Sequence, residues 1–73
     1  MIPTQVYVRL LNEGTEVTRP TLAEEVGGGL YKLFPTPAYD AEIESWEFVP
    51  GSMVRAEERS NSAGETFLLA VKL

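Results

Sequence analysis

Residues 4–26 read TQVYVRLLNEGTEVTRPTLAEEV, and this stretch indicates the fold class of the whole chain. Apolar and polar side chains alternate on both sides of Asn12-Glu13-Gly14-Thr15, a run of turn-forming residues. Alternation at a period of two is typical of a half-buried strand, and two such runs joined by a short turn predict a β-hairpin. If residues 12–15 form a four-residue loop, one face of the hairpin carries Val6, Val8, Leu10, Val17, Arg19 and Thr21.

Turn-forming residues also interrupt the rest of the chain, at Gly27-Gly28-Gly29, Pro50-Gly51 and Asn61-Ser62-Ala63-Gly64. The runs between them are rich in Val, Leu, Tyr, Phe and Thr, and none has a sustained helical period. Short alternating strands between turns predict one all-β domain over residues 1–73, a sandwich or a barrel. The predicted strands are Thr4–Leu11, Glu16–Val26 with a break at Pro20, Leu30–Pro35, Ser45–Val49, Met53–Ser60 and Glu65–Lys72.

The same parity extends the predicted core face through two further hairpins. A turn at residues 27–29 adds Ala23, Tyr31 and Leu33, and it places Glu24 opposite Lys32 as an ion pair on the outside. If residues 61–64 form a four-residue loop, the core face of the last hairpin carries Val54, Ala56, Glu58, Phe67, Leu69 and Val71. The outer face then carries Arg55, Glu57, Arg59, Thr66, Leu68 and Ala70.

Two charged residues, Arg19 and Glu58, fall on the predicted core face. A lone buried charge is costly whereas a paired one is tolerated, so one hypothesis is an ion pair between Arg19 and Glu58 inside the barrel or at its mouth. These two residues are also the candidate anion site. In the alternative, Pro20 breaks the strand and a bulge turns Arg19 outward.

The Pro50-Gly51 turn decides where Trp46 points. A tight hairpin would place Trp46 opposite Arg55 in a cation–π pair, and Phe48 opposite Met53, all on the outer face. In the alternative, a type II turn splays the strands and sends both rings into the core. The core alternative is favoured because a small barrel rarely leaves its only Trp outside.

Two outward surfaces are candidate interaction sites. Trp, Arg and Met are enriched at interface hot spots, so the first predicted contact surface consists of Trp46, Arg55, Met53, Leu68 and Tyr39, the last from the long loop at residues 36–44. The second is a self-association edge at Tyr7 and Leu11, where the first strand would pair with another copy. A domain of 73 residues is marginally stable, which favours association.

The composition excludes several kinds of chemistry. The chain has no Cys and no His, which excludes disulfides, haem, structural zinc, thiol nucleophiles and His-based general bases within it. Glu57 and Glu58 point to opposite faces of a strand and cannot form a catalytic pair. Asp40, Glu42 and Glu44 alternate in the long loop, and we interpret them as solvated acids rather than as a calcium site. We therefore expect no enzyme activity, no cofactor and no metal.

The charge balance also restricts the partners. Eleven acidic residues against six basic ones give a net charge of −5, which disfavours nucleic acids and anionic membranes. The first residues have neither the basic nor the apolar region of a secretory leader. The longest apolar run, Phe67–Val71, is too short to cross a bilayer. We expect a soluble cytoplasmic protein.

Two segments carry a family resemblance, LLNEGTEVTRP at residues 10–20 and WEFVPGSMVRAE at residues 46–57. Together they resemble a family of small uncharacterised bacterial proteins, some of which occur as cassettes in integrons and other mobile elements. Relatives often have an aromatic residue in place of Thr18 and a Cys in place of Ala56. The resemblance implies a small SH3-like β-barrel, and it brings no catalytic residues.

We therefore expect a five- or six-stranded antiparallel SH3-like barrel that serves as a protein-interaction or adaptor module. Its partner would be a protein or a peptide, and it could also self-associate, for instance as a homodimer. The alternative is a barrel that binds a small anionic ligand at a subunit interface, with Arg19 and Arg55 on the anion. Nucleic-acid binding is the least favoured function because of the negative net charge.

Overall fold

The computed structural model describes residues 3–35 and 39–73, and it is all-β in these residues, as predicted. The first and fifth strands have the predicted bounds, while the others are shorter or shifted at their ends. The six strands are β1 (Thr4–Leu11), β2 (Thr18–Gly27), β3 (Leu30–Leu33), β4 (Ser45–Trp46), β5 (Met53–Ser60) and β6 (Thr66–Val71). Within the described ranges, no helix is long and apolar enough to cross a membrane.

Five strands are hydrogen-bonded in a ring, in the order β1-β2-β3-β5-β6, and β6 pairs with β1 again. The four pairs between consecutive members of this series are antiparallel. Strand direction therefore alternates around the ring, and an odd number of strands brings the last one back alongside β1 in the same direction. The β1–β6 pair is accordingly parallel, at Tyr7 and Leu69. The sheet is therefore mixed, and the prediction of a wholly antiparallel arrangement is wrong. Because β4 lies outside the ring, the ring has five strands, and five strands of alternating direction cannot close with an antiparallel pair.

The first hairpin has the predicted register. Val6 pairs with Thr21 across β1 and β2, as a loop at residues 12–15 requires. Beyond the end of the ladder, the amide of Leu10 donates to the carbonyl oxygen of Val17 at 2.8 Å. The alternation of Val6, Val8 and Leu10 was therefore enough to identify the core face of β1, and all three are buried.

The second hairpin also follows the predicted pairing. Glu24 lies opposite Lys32 on β2 and β3, although no salt bridge between them is present among residues 3–35. The ladder shifts between Glu25 and Gly27, and Gly27 itself pairs with Leu30 at a φ of +103°. A residue with a side chain rarely adopts that φ, so glycine is needed at this bulge.

The last hairpin differs from the prediction by one residue. Ser60 pairs with Thr66 rather than with Glu65, because the amide of Asn61 donates to the carbonyl oxygen of Glu65 at 2.9 Å and shortens the loop to residues 62–64. The Asn61 Oδ1 also accepts from the amides of Ala63 at 2.9 Å and Glu65 at 3.0 Å, which stabilises this tight turn.

This one-residue shift exchanges the two faces of β6. Phe67, Leu69 and Val71, which were predicted to face the core, lie on the outer face opposite Arg59, Glu57 and Arg55. Leu69 is nevertheless buried, as predicted. Leu68 and Ala70, predicted outward, face inward: Ala70 is fully buried and Leu68 packs against the core.

The core lies inside the ring. Its buried members are Val6, Val8, Leu10, Ala23, Leu33, Trp46, Val54 and Ala70. Half-buried side chains packed against them are Val17, Tyr31, Tyr39, Phe48, Ala56 and Leu68. Full burial of one Val or Leu side chain contributes about 1.5–3 kcal/mol, so a single misplaced core residue matters in a domain of this size.

Trp46 belongs to this core, as predicted by the favoured alternative in which its ring points inward. β4 pairs with β1, with Trp46 opposite Leu10, and does not form a hairpin with β5. The amide of Ser52 donates to the carbonyl oxygen of Val49 at 3.1 Å, and Gly51 has a φ of +92°, which fits the second central position of a type II turn. This turn separates the strands, and the tight hairpin with Trp46 opposite Arg55 does not form.

β1 is not a free edge. Tyr7 pairs with Pro20 of β2 on one side and with Leu69 of β6 on the other, while Leu11 pairs with Ser45 of β4. The prediction that Tyr7 and Leu11 form an edge for strand pairing with another copy is therefore wrong, because the neighbouring strands already hydrogen-bond to both sides of β1.

Candidate functional site

Glu44 joins Arg19 to Trp46 where the long loop meets β4. Its Oε2 accepts hydrogen bonds from Nη2 and Nε of Arg19 at 2.7 and 2.9 Å. Its Oε1 accepts from Nε1 of Trp46 at 3.1 Å. Tyr39 packs edge-on against the indole, with ring centroids 5.0 Å apart and planes at 73°. We call these four residues the Trp46 cluster.

A single turn that begins at Asp40 positions Glu44 for these contacts. The carbonyl oxygen of Asp40 accepts from the amides of Ile43 at 3.0 Å and Glu44 at 2.9 Å. Its side-chain Oδ1 accepts from the amide of Glu42 at 2.9 Å. An aspartate that caps its own turn in this way is common in loops. Asp40 therefore has a structural role here.

The cluster stabilises an ionised carboxylate. The hydrogen bond from Trp46, followed by that from Arg19, lowers the pKa of Glu44 below its ordinary value of 4.5. In return, Glu44 provides the buried indole N–H with the acceptor that it needs. We interpret the Trp46 cluster as the contact that holds residues 39–44 against the core.

The hypothesis of an ion pair between Arg19 and Glu58 is wrong, because Arg19 pairs with Glu44. Arg19 does have inner-face parity, opposite Val8, yet 46% of its side chain is exposed. Glu58 is also exposed and lies opposite Leu68. Both charges stay in solvent because each lies near an end of its strand, where the inner face opens. The Arg19 charge is already matched by Glu44, which gives no support to an anion site there.

The first predicted contact surface is not assembled as one exposed patch. Trp46 is buried in the core, and Tyr39 and Leu68 pack against it. Met53 and Arg55 do lie exposed on the outer face, opposite Lys32 and Leu30 of β3. Because the strands separate at the Pro50-Gly51 turn, Trp46 is buried in the core, and only Met53 and Arg55 of this surface are exposed.

A different surface feature, an open groove around Phe67, lies between the β5–β6 hairpin and the outer face of β1 and β2. One hollow of about 340 Å³ is lined by Tyr7, Thr18, Asn61, Glu65, Thr66 and Phe67. A second, of about 540 Å³, shares three of these residues and adds Glu16, Arg59, Ser60, Ser62 and Leu69. A third, of about 310 Å³, is lined by Gln5, Tyr7, Glu58, Thr66, Phe67 and Leu68. We call these adjoining hollows the Phe67 groove.

The apolar part of the groove consists of Tyr7, Phe67 and Leu69. The rings of Tyr7 and Phe67 meet edge to face, with centroids 5.4 Å apart and planes at 76°. Leu69 is only 1% exposed although it lies outside the main core cluster. The parallel pairing of β1 and β6 brings Tyr7 beside Leu69. Aromatic side chains in an open hollow are typical of surfaces that bind extended peptides.

The groove has an acidic rim. Of its charged lining residues, Glu16 pairs with Arg9 at 3.3 Å and Arg59 pairs with Glu57 at 2.9 Å. Within residues 3–35 and 39–73, no cation lies within salt-bridge distance of Glu58 or Glu65. Asn61 donates one hydrogen bond to Glu65 Oε1 at 3.2 Å. Two carboxylates of the rim are therefore not neutralised by any cation of the described residues.

Sequence reasoning missed this groove because the predicted register placed Phe67 inside the core. The signal that identifies it is the spacing of Asn61 and Gly64. A three-residue hairpin loop usually ends in a residue with positive φ, and Gly64 has a φ of +83°. Choosing this loop over a four-residue one would have turned Phe67 and Leu69 outward.

The charged side chains that line the groove are three carboxylates and one guanidinium. The chain has no His and no Cys to act as nucleophile or general base near neutral pH. Across the described part of the chain, no group of three or more acids, His or Cys could hold a metal ion.

We compared the chain with protein-family models, with curated proteins and with solved structures, and none of them matches. The family resemblance of residues 10–20 and 46–57 therefore stays a prediction. What the chain does has to be inferred from its own geometry, and the Phe67 groove is the feature from which we infer it.

Proposed function

We propose that this chain is a non-catalytic protein-interaction module of SH3-like barrel type that acts in the cytoplasm. It binds an extended peptide segment of its partner in the Phe67 groove. The observation that carries the proposal is the half-buried aromatic pair of Tyr7 and Phe67, which lies beside the buried Leu69 in an open groove with a polar rim. Shallow grooves with an aromatic floor suit extended peptides better than compact ligands.

The paired strands restrict how a peptide can bind. β1 lies between β2 on one side and β6 and β4 on the other, so it offers no open edge for an added strand. Recognition therefore depends on side chains, with an apolar residue of the peptide against Tyr7 and Phe67. Hydrogen bonds from the rim, for example from Asn61, would then fix its direction.

The non-catalytic part of the proposal is supported by the chemistry of the chain. The pKa of Glu44 is lowered, so this carboxylate is a weak base, and it is held by Arg19 and Trp46. Glu57 and Glu58 lie on opposite faces of β5 and cannot act as a pair.

The test is a selection of displayed random peptides on the immobilised protein. The dissociation constants of enriched peptides are then measured by fluorescence polarisation. A peptide that fills only this groove is expected to bind with a Kd on the order of 10 μM, which corresponds to about −7 kcal/mol. In ¹⁵N-labelled protein, its binding should shift the amide signals of Thr18, Asn61 and Phe67.

Two matched variants locate the binding surface. Thr18→Tyr fills the groove from β2 and should weaken binding by about tenfold or more. Leu22→Tyr introduces the same side chain on the same strand and outer face, but Leu22 does not line the groove and its variant should bind as wild type does. Enriched peptides that ignore Thr18→Tyr, or a selection without any binder, would overturn the proposal.

A further inference from the structure

We propose that the segment bound in the Phe67 groove is basic. It is an extended peptide that places Lys or Arg beside Glu58 and Glu65, with an aliphatic or proline side chain against Tyr7 and Phe67. This inference rests on the proposed function and names the chemistry of the partner.

The charges around the groove carry the inference. Its lining includes three carboxylates, those of Glu16, Glu58 and Glu65, against the single guanidinium of Arg59. Glu57 already neutralises Arg59, and Arg9 neutralises Glu16. The two remaining acids are exposed. Glu58, on β5, and Glu65, just before β6, each line a hollow that Tyr7 and Phe67 also line. A cationic segment is therefore attracted by these two acids, and among residues 3–35 and 39–73 no unpaired cation of the groove lining opposes it.

The same charges disfavour the other occupants of such a groove. The net charge of −5 repels an acidic peptide or a nucleic acid. A second copy of this chain would bring the same acidic rim against Glu58 and Glu65, and a homodimer across this groove would need to bury like charges together.

The sharpest test selects peptides on wild type and compares their binding to two charge variants that have equal net charge. Glu58→Lys combined with Glu65→Lys reverses the rim. Glu13→Lys combined with Glu25→Lys changes the net charge equally at exposed positions that do not line the groove. Peptides selected on wild type should be enriched in Lys and Arg, and they should bind the rim variant on the order of tenfold more weakly.

The control variant should lose no more than about twofold, since its charges act only at long range. Raising the salt concentration should weaken binding to wild type and have less effect on the rim variant. Peptides that shift the Thr18 and Phe67 signals without any excess of Lys or Arg would overturn this inference and leave the proposed function standing.

Two other results overturn both proposals. One is a selection that returns no peptide for the groove. The other is a concentration-dependent dimer in light scattering whose formation shifts the Thr18, Asn61 and Phe67 signals, because the occupant is then a second copy.

Discussion

The indole N–H of Trp46 donates a hydrogen bond of 3.1 Å to the carboxylate of Glu44, two residues before it in the chain. The other oxygen of that carboxylate is held by Arg19 of β2, so one side chain connects the long loop, β4 and the ring. The only Trp can therefore be buried with its polar atom satisfied. Trp46 and Tyr39 therefore anchor the loop, whereas the aromatic pair of Tyr7 and Phe67 lines the Phe67 groove.

The lowered pKa of Glu44 makes stability depend on pH. Because the folded state favours the ionised carboxylate, its contribution is present above the ordinary pKa of 4.5 and is lost as the pH falls through the lower folded value. Glu44→Gln removes this contribution. The difference in unfolding free energy between wild type and this variant should be largest near neutral pH and should shrink toward about pH 3.

Urea titrations at both pH values measure this difference. Glu42→Gln is the matched control in the same loop, since the structure places its side chain in solvent, and its variant should follow wild type at both pH values. A difference for Glu44→Gln that is equally large at acid and neutral pH would contradict the assigned role of the carboxylate.

Trp46→Ala should unfold much of the population rather than leave an intact fold with a lost surface. Removing a buried Trp costs about 3–5 kcal/mol, which is comparable with the whole stability of a small domain. Trp46→Phe keeps most of the buried ring and should cost less, with the loss of one hydrogen bond to Glu44. Far-ultraviolet circular dichroism with thermal melting distinguishes the two variants. A folded Trp46→Ala protein with a wild-type melting temperature would show that Trp46 is not a core residue.

The faces of β6 can be tested with one pair of substitutions. Ala70 is fully buried on the inner face, so Ala70→Leu should overpack the core and cost about 1–3 kcal/mol. Val71 is half-buried on the outer face opposite Arg55, and Val71→Leu should change the unfolding free energy by less than about 0.5 kcal/mol. Chemical denaturation gives both values. The reverse order of the two effects would restore the four-residue loop and the register that the sequence predicted.

Gly51 should resist substitution more than Gly14. Gly51 has a φ of +92°, where an added Cβ is strained even though nothing lies within 4 Å of it, so Gly51→Ala should cost about 1–2 kcal/mol. Gly14 has no positive φ and open space around its Cα, and Gly14→Ala should be close to neutral. For a domain of this size the first substitution lowers the melting temperature by about 4–8 °C per kcal/mol. Equal melting temperatures for the two variants would exclude the type II turn at Pro50-Gly51.

Local patterns predicted the first half of the fold well. The bounds of β1 and the pairing of Val6 with Thr21 follow from the alternation of residues 4–11 and from a loop of polar residues that fits four positions. Nothing distant is needed for this result, because turn length and parity together determine which residues face each other. The pairing of Glu24 with Lys32 follows in the same way.

The last hairpin shows where local patterns become ambiguous. Residues 61–65 are compatible with a loop of three or of four residues, and both choices put apolar side chains of β6 on the inner face. Leu68 and Ala70 are as apolar as Phe67 and Leu69, so the pattern does not separate the two registers. The Asn61 side chain and the positive φ of Gly64 select the shorter loop. The candidate site depends on this choice, because it moves Phe67 from the inside to the outside.

The amino-acid sequence alone determined the all-β class, the register of the first two hairpins and the absence of His and Cys chemistry, since each depends on residue type and on neighbours within a few positions. The tertiary structure decided the parallel contact of Tyr7 with Leu69, the pairing of Arg19 with Glu44 and the burial of Trp46. These are contacts between segments far apart in the chain or orientations set by such contacts. The parallel pair follows from ring closure with five strands, and the other two follow from the pairing of β4 with β1 instead of β5. No local pattern records either arrangement.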